Sequence, residues 1–363
     1  MATYRETKGQ KVQTLSADPS NLVEGQVWYN STSDKLKVRA YVTTNSWAAG
    51  GNMVTQPPTH SQNSYGTGFG TQTSMMFVMG NSPNIKLSQT YDGTAWSAGP
   101  DMVEIDAQVG AVGTLGAPGT PGASGGGPAI LFGGATGGPT GVNGYTWNTT
   151  AFATSPADLS VRRADPFGFG TVPTANCWGG NQGAPLHQVA TGEIFDGTSW
   201  STNPASMNQA RSTGGGGQNG SGTTSAATIA GGSTPPSAPP TQSNTSESWN
   251  GTSWSVNPTL NYGRRGAGCV GETSTYVLVF AGNADPPAPG PGAQGSTATE
   301  LWDGTSWSNT TNMANFKQYV AGAGTATHGM QAGGDTGGTA TPTLRFTEEW
   351  TGSLEATGTI TTS

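Results

Sequence analysis

The residues able to do chemistry are few, and their spacing argues against a shared centre. His60, His187 and His328 are the only histidines, far apart in the chain and with no pair at ligand-like spacing. A metal site needs convergent ligands, so no metal is expected. Cys177 and Cys269 are the only cysteines. A disulfide framework is excluded, and two separate thiols are expected. Glu193, Glu247, Glu300 and the pair Glu348-Glu349 could do acid–base work. A glycosidase pair must face one sugar, however, and spacing alone supplies no such pair. Arg162-Arg163, Arg211, Arg264-Arg265 and Lys317 recur at regular intervals. They form either a ring of cations for an anionic ligand or partners for the recurring glutamates; burial favours pairing. Gly214-Gly215-Gly216-Gly217 is followed by no Gly-Lys-Ser/Thr and is not a phosphate loop. The expectation is therefore no catalytic residue, no cofactor and no enzyme.

The elements that position these residues come from a repeat. Leu301-Trp302-Asp303-Gly304-Thr305-Ser306-Trp307 reads as two short strands joined by a tight turn, in which Asp and Gly are the residues expected to take positive φ, with aromatics meeting across it. Tyr91 to Trp96, Phe195 to Trp200 and Trp249 to Trp254 are close copies, and Trp147 to Phe152 keeps the aromatics without the glycine. The second aromatic falls at 47, 96, 152, 200, 254 and 307, giving intervals of 49, 56, 48, 54 and 53 residues. Between these positions, short apolar runs end in glycine, as at Ile130 to Gly134, Cys177 to Gly180 and Met330 to Gly334. Each unit then reads as four antiparallel strands. Strand a is Gly-rich, as in Gly263 to Val270, is expected to carry the recurring basic residues, and suits a crowded innermost position. Strand b ends in glycine, strand c ends at the first aromatic, one or two residues after Glu247, Glu300 and Glu349, and strand d carries the second. Such a sheet has two faces and little core, so it is stable only in a stack or ring.

Composition agrees. Only 33% of residues are hydrophobic and 10% charged, while 58 glycines serve turns and close backbone approach. Regularly spaced aromatics, including 11 Trp, argue against disorder. A net charge of -7 offers no basic face for nucleic acid, and no 18-residue apolar stretch exists to span a membrane. The N-terminal residues carry charges without an apolar core, so no secretory signal is read.

Residues 1–40 lie outside the repeat and are expected to form an arm with a small β-hairpin. Its strands are Val27 to Tyr29 and Leu36 to Val38, and it has no core of its own. Lys8 to Glu24 shows no periodicity. Residues 41–363 are expected to form the repeat domain. Trp47 lacks a first aromatic partner and Trp350 lacks a second. Six units are therefore expected, with Trp47 completing the last beside Trp350. The alternative is that Leu354 to Ile360 supplies that strand and Trp47 begins a seventh. The a–b and c–d turns should share one face, and the b–c loops and d–a crossovers the other. The b–c loops Ala135 to Asn143, Ser233 to Ser246 and Asn283 to Thr297 vary and are the expected binding face.

The glycine-ended strand, the paired aromatics and the ~50-residue period resemble the kelch repeat of β-propellers, the architecture shared with galactose oxidase. The expected fold is all-β: a six-bladed kelch-like β-propeller. The copper chemistry of galactose oxidase requires histidines, tyrosines and a Cys–Tyr cross-link, which these residues do not suggest. Val27-Trp28-Tyr29-Asn30-Ser31-Thr32 followed by Leu36-Lys37-Val38, together with the tandem aromatic units, resembles kelch-like virion proteins of tailed phages. Such proteins are abundant in marine phages and are usually taken as tail-fibre or other surface components. That resemblance implies a non-enzymatic virion surface protein, made in the host cytoplasm. The arm would dock to other virion proteins or self-associate, and the propeller would meet a host-surface glycan or protein. The alternatives are a structural capsid or tail decoration without host specificity and, third, a carbohydrate-active enzyme. Neither nucleic-acid binding nor membrane insertion is implied.

Overall fold

A computed structural model of the chain describes residues 12–19, 26–42, 45–54, 66–81, 85–103, 108–113, 128–135, 141–155, 157–183, 188–213, 220–235, 241–285, 295–335, 345–352 and 354–359. Two compact units result, Met1–Asn45 with Gly352–Ser363, and Ser46–Thr351. Among the described residues no helix is long and apolar enough to cross a membrane.

The larger unit is a closed ring of six antiparallel four-stranded sheets. The first blade runs from Thr67–Thr71 to Trp96–Ala98, the second from Gly110–Gly113 to Phe152–Thr154, and the third from Phe167–Thr171 to Trp200–Ser206. The fourth runs from Gly220–Thr223 to Trp254–Val256, and the fifth from Gly268–Thr273 to Trp307–Asn309. The sixth takes strands a to c from Ala321–Gly324, His328–Ala332 and Glu348–Thr351, and its fourth strand, Ser46–Ala49, from the other end of the unit. Trp350 pairs with Trp47 in register, their rings 5.4 Å apart. Strand a of each blade contacts strand a of the next, including the sixth against the first. The expected closure holds. The alternative fails because Leu354–Thr359 pairs instead with Lys35–Val42.

Aromatics fill the space between blades. Trp178 lies 5.0 Å from Trp249 and 5.1 Å from Trp254 of the following blade, and Trp47 lies 5.0 Å from Phe280 of the preceding one. The cross-hairpin pairs Tyr91–Trp96, Phe195–Trp200 and Trp302–Trp307 sit 5.2–5.4 Å apart. In the c–d turns the aspartate acts differently from expectation. Asp92, Asp196 and Asp303 keep negative φ, and each Oδ1 accepts two backbone N–H groups at 2.8 Å, which holds the carboxyl below its ordinary range. This is an Asx turn, and the positive φ falls on the glycine alone. In the second blade Thr149 takes that place at φ 79°.

The smaller unit is wider than the expected arm. The hairpin Val27–Asn30 with Lys35–Val42 forms as read, but Gln13–Leu15 adds a parallel strand on one side and Leu354–Thr359 an antiparallel one on the other. A three-residue strand is too short to show periodicity, and Leu354 to Thr359 lies far from its partner in sequence. Trp28 is fully buried here, donating to Asp18 Oδ1 at 3.0 Å. Lys37, Asn30 and Trp28 together hold the Asp18 carboxyl down at about 2.

Candidate functional site

The recurring charges converge in pairs at the b–c end of the third, fourth and fifth blades. The basic residues do not lie on strand a as expected. The chain breaks at Gly266, φ 58°; Gly263–Arg265 pairs with Asn283–Asp285, and strand a starts at Gly268. Arg163, Arg211 and Arg264 thus sit in the d–a crossover, buried, with Glu193, Glu247 and Glu300 at 3.4, 2.6 and 2.5 Å. Each Nη1 also donates to the carbonyl at the end of strand b and to one near the start of strand c: Gly179 and Thr191, Gly231 and Thr245, Ala281 and Ala298. The glutamates accept backbone N–H groups of the crossover, as Glu247 does from Asn208 and Gln209. The pairing reading holds for these three arginines, since a buried cation needs its charge met; only the Nε atoms of Arg211 and Arg264 are left without a hydrogen-bond partner among them.

The carbonyl of the same basic residue links neighbouring blades. Gly134, Gly180, Gly232 and Gly282 each donate N–H to the carbonyl of the next blade's Arg163, Arg211, Arg264 or Lys317 at 2.7–2.9 Å. In the sixth blade Glu348, not Glu349 as expected, occupies the recurring position, accepting from Ala314 and Asn315 N. Glu349 accepts instead from the Tyr91 hydroxyl of the first blade. The first blade has Gln89 at that position, with Val54 N donating to its Oε1 at 2.8 Å, and the second has Tyr145. A sequence signal for this network exists: the crossover's buried apolar anchors Met53, Met102, Leu159, Met207, Leu260 and Met313 are followed four residues later by Pro57, Asp106, Arg163, Arg211, Arg264 and Lys317. The carboxylate is present where the cation is, and absent where it is not.

At the opposite end the six a strands surround a cavity of ≈ 300 Å³ on the ring axis. Gly70, Gly113, Gly170, Gly222, Gly271 and Gly324, one from each blade, line it. Four of them have φ of 96–124°, which only glycine adopts freely, and a Cβ on Gly222 would stand 2.2 Å from the Ala226 carbonyl. The Ser221 Oγ is buried against Gly271 without a hydrogen-bond partner. Exposed Thr171, Thr223 and Glu272 stand at the rim.

Of the other sequence candidates, His60 and His187 lie outside the described residues. His328 is exposed at the start of strand b, its ring beside Thr327 Oγ1. Among the described residues no group of three His, Cys, Asp or Glu is placed to hold a metal. Cys177 and Cys269 are buried free thiols in the third and fifth blades, burial pushing both up to about 12. The two ends segregate as expected. A Cβ on Gly251 of a c–d turn would meet the Ser225 carbonyl of the a–b turn at 3.2 Å, whereas b–c and d–a segments bridge each other at Ala164↔Asn181, Ser212↔Ser233 and Ser296↔Lys317. Of the expected binding loops, residues 136–140, 236–240 and 286–294, including the proline-rich run, lie outside the described residues.

These features define an all-β, six-bladed kelch-like β-propeller. A solved structure described as "Structure of YjhT" is similar, with a TM-score of 0.57 over 84% of this chain and 96% of that one, at 13% identity. At that identity the likeness concerns the fold alone. No protein-family model matches the chain, and no curated protein matches it in sequence.

Proposed function

We propose that this chain is a non-enzymatic surface component of a tailed-phage particle. The unit built from both chain ends docks to other virion proteins, and the propeller meets the host surface through its b–c end. The observation that carries this reading is the division of labour between the ends of the blades. The c–d turns at one end are near-copies held by the same Asx geometry. The b–c segments at the other end differ in length and composition, yet those of the third, fourth and fifth blades spring from the same Arg–Glu framework. Variable loops on a rigid, repeated base are where recognition is normally built. The charges that recur in register are spent on that base. The likeness of Val27 to Thr32 and of the aromatic units to phage virion proteins supplies the biological setting.

Immunogold labelling of intact phage, with adsorption measured in the presence of purified protein, tests the reading. The expected result is label on the particle surface and a dose-dependent loss of adsorption. Label without any effect on adsorption would favour a decorating role without host specificity. Particles that carry no label would overturn both.

A further inference from the structure

We propose that Asn250, in the c–d turn of the fourth blade, is a site of spontaneous covalent modification, its side-chain amide lost as ammonia after attack by the Gly251 backbone nitrogen. This does not rest on the virion reading and concerns the end opposite the variable loops. Of the five c–d turns, three carry a carboxylate, at Asp92, Asp196 and Asp303, and two an amide, at Asn148 and Asn250. Only the amide has a leaving group. In the step, the Gly251 nitrogen gives up its proton and bonds to Asn250 Cγ. The Cγ–Nδ2 bond breaks, and ammonia leaves with one proton gained. The five-membered imide then takes up one water at either carbonyl. Opening on the side-chain side gives aspartate, and opening on the main-chain side gives isoaspartate, with the backbone rerouted through Cβ and Cγ. Water is the only co-reactant.

The turn is built for this step. Gly251 is exposed and carries no side chain, and among the described residues its N–H donates to no acceptor. The chain itself tethers that nitrogen beside Cγ. Asn250 Oδ1 accepts the N–H groups of Thr252 and Ser253 at 2.9 and 2.8 Å, the place where negative charge develops when the nitrogen adds. Two other asparagines act as internal controls. Asn148 makes the same two bonds at 2.9 and 2.8 Å, but the attacking nitrogen would be that of Thr149, crowded by its branched side chain. Asn143 also precedes a glycine, yet Gly144 is buried in strand c, where its N–H donates to Asp158 Oδ1 at 3.2 Å and its carbonyl accepts from Ser155 N. Asn219, the third asparagine before a glycine, lies outside the described residues. Aspartate at position 250 reproduces the turn of Asp196, whereas isoaspartate adds a methylene to the main chain. The turn joins Trp249 to Trp254, whose rings lie 5.0 and 5.1 Å from Trp178. The isoaspartyl form therefore loosens the junction of the third and fourth blades.

The test is prolonged incubation of the full chain at neutral and mildly alkaline pH, folded and in urea, followed by peptide mapping with mass spectrometry. The expected result is a gain of about 1 Da at Asn250 as amide becomes acid, resolved into aspartyl and isoaspartyl forms and faster at the higher pH. In the folded chain Asn143 and Asn148 should react at least roughly tenfold more slowly. In urea the hold on Gly144 is released, so Asn143 should approach Asn250 while Asn148 stays slow. The isoaspartyl fraction should also unfold at a lower temperature than Asn250→Asp, which carries the same charge on an unlengthened backbone. Equal stability of those two would overturn the link to the blade junction. Two results would each overturn the proposal itself: no mass gain at Asn250 in the folded chain, or a folded-state rate there no greater than at Asn143 or Asn148.

Discussion

At the residue scale, the c–d turns offer a controlled comparison within one molecule. Four blades place glycine at the left-handed turn position, with φ of 90–101°, and the second blade places Thr149 there at 79°. Both Thr149 and Gly251 are exposed, and the preceding Asn148 and Asn250 accept the same two backbone N–H groups. The turns differ in backbone strain and in the 3.2 Å approach that a Cβ on Gly251 would make to the Ser225 carbonyl. Thr149→Gly is expected to stabilise the propeller by about 1 kcal/mol, and Gly251→Thr to cost at least as much. Thermal unfolding of the two variants checks this; a change of the same sign in both would refute it. The missing glycine after Trp147 was visible in the sequence, whereas the role of the aspartate was not. Asp-Gly is compatible with two turn geometries, and only the negative φ of Asp92, Asp196 and Asp303 decides between them.

At the scale of the blade, the buried cation governs how crossover, strand b and strand c lock together. Removing one partner leaves the other charged and buried, so Glu247→Gln is expected to cost about 3–5 kcal/mol. Arg211→Met in the same chain should recover part of that loss, read as an upward shift of the urea midpoint in the double variant. A double variant less stable than Glu247→Gln alone would show that the Arg211 bonds to Gly231 and Thr245 outweigh the ion pair. The sixth blade departs from the pattern. Lys317 stands where the arginines do, and Gln331 faces Glu348 where Cys177, Ile229 and Val279 face their glutamates. Lys317 Nζ donates to Gln331 Oε1 at 3.1 Å and to the Phe346 carbonyl, and burial pushes it down to about 7, against the pull of Glu348. Between pH about 7 and the ordinary lysine range, the unfolded chain therefore holds a proton that the folded chain lacks. Stability from this group rises with pH across that window and is flat below it. Above pH about 9 the opposite trend sets in, because the unfolded thiols ionise while Cys177 and Cys269 stay protonated. The usable window is thus pH about 7 to 9, where Lys317→Arg with Gln331→Val should flatten the rise seen in the natural chain. Parallel slopes for the two proteins would refute the assignment. The in-register glutamates and basic residues could be read as partners from sequence. So could the choice of Glu348 over Glu349, since Glu193, Glu247 and Glu300 each stand two residues before the first aromatic, as Glu348 does before Trp350.

For the whole molecule, what could be read from sequence is what repeats. Blade number, the aromatic pairs and the ring-closing strand all recur or are conspicuously missing at the ends, so Trp47 and Trp350 identified each other. The smaller unit repeats nothing. The pairing of Leu354–Thr359 with Lys35–Val42 joins segments more than 300 residues apart and left no periodic trace. The chain thus closes twice: strand Ser46–Ala49 completes the propeller, and Leu354–Thr359 completes the sheet of the other unit. These closures are expected to differ in their effect on the ring. Trp47 packs between Phe280 and Trp350 and donates to the Thr299 hydroxyl at 3.0 Å, so Ser46–Ala49 seals the junction of the fifth and sixth blades. A chain spanning Ser46–Thr351 retains every propeller strand and should unfold cooperatively, with hydrogen-exchange protection in Ala321–Gly324 close to that of the full chain. A chain starting at Gly50 leaves Trp350, Phe280 and the outer edge of Glu348–Thr351 uncovered. Truncating one large core aromatic alone costs about 3–5 kcal/mol. Protection in the sixth blade should therefore fall first and furthest. If both truncated chains protect Ala321–Gly324 equally, ring closure by Ser46–Ala49 is not what stabilises the propeller.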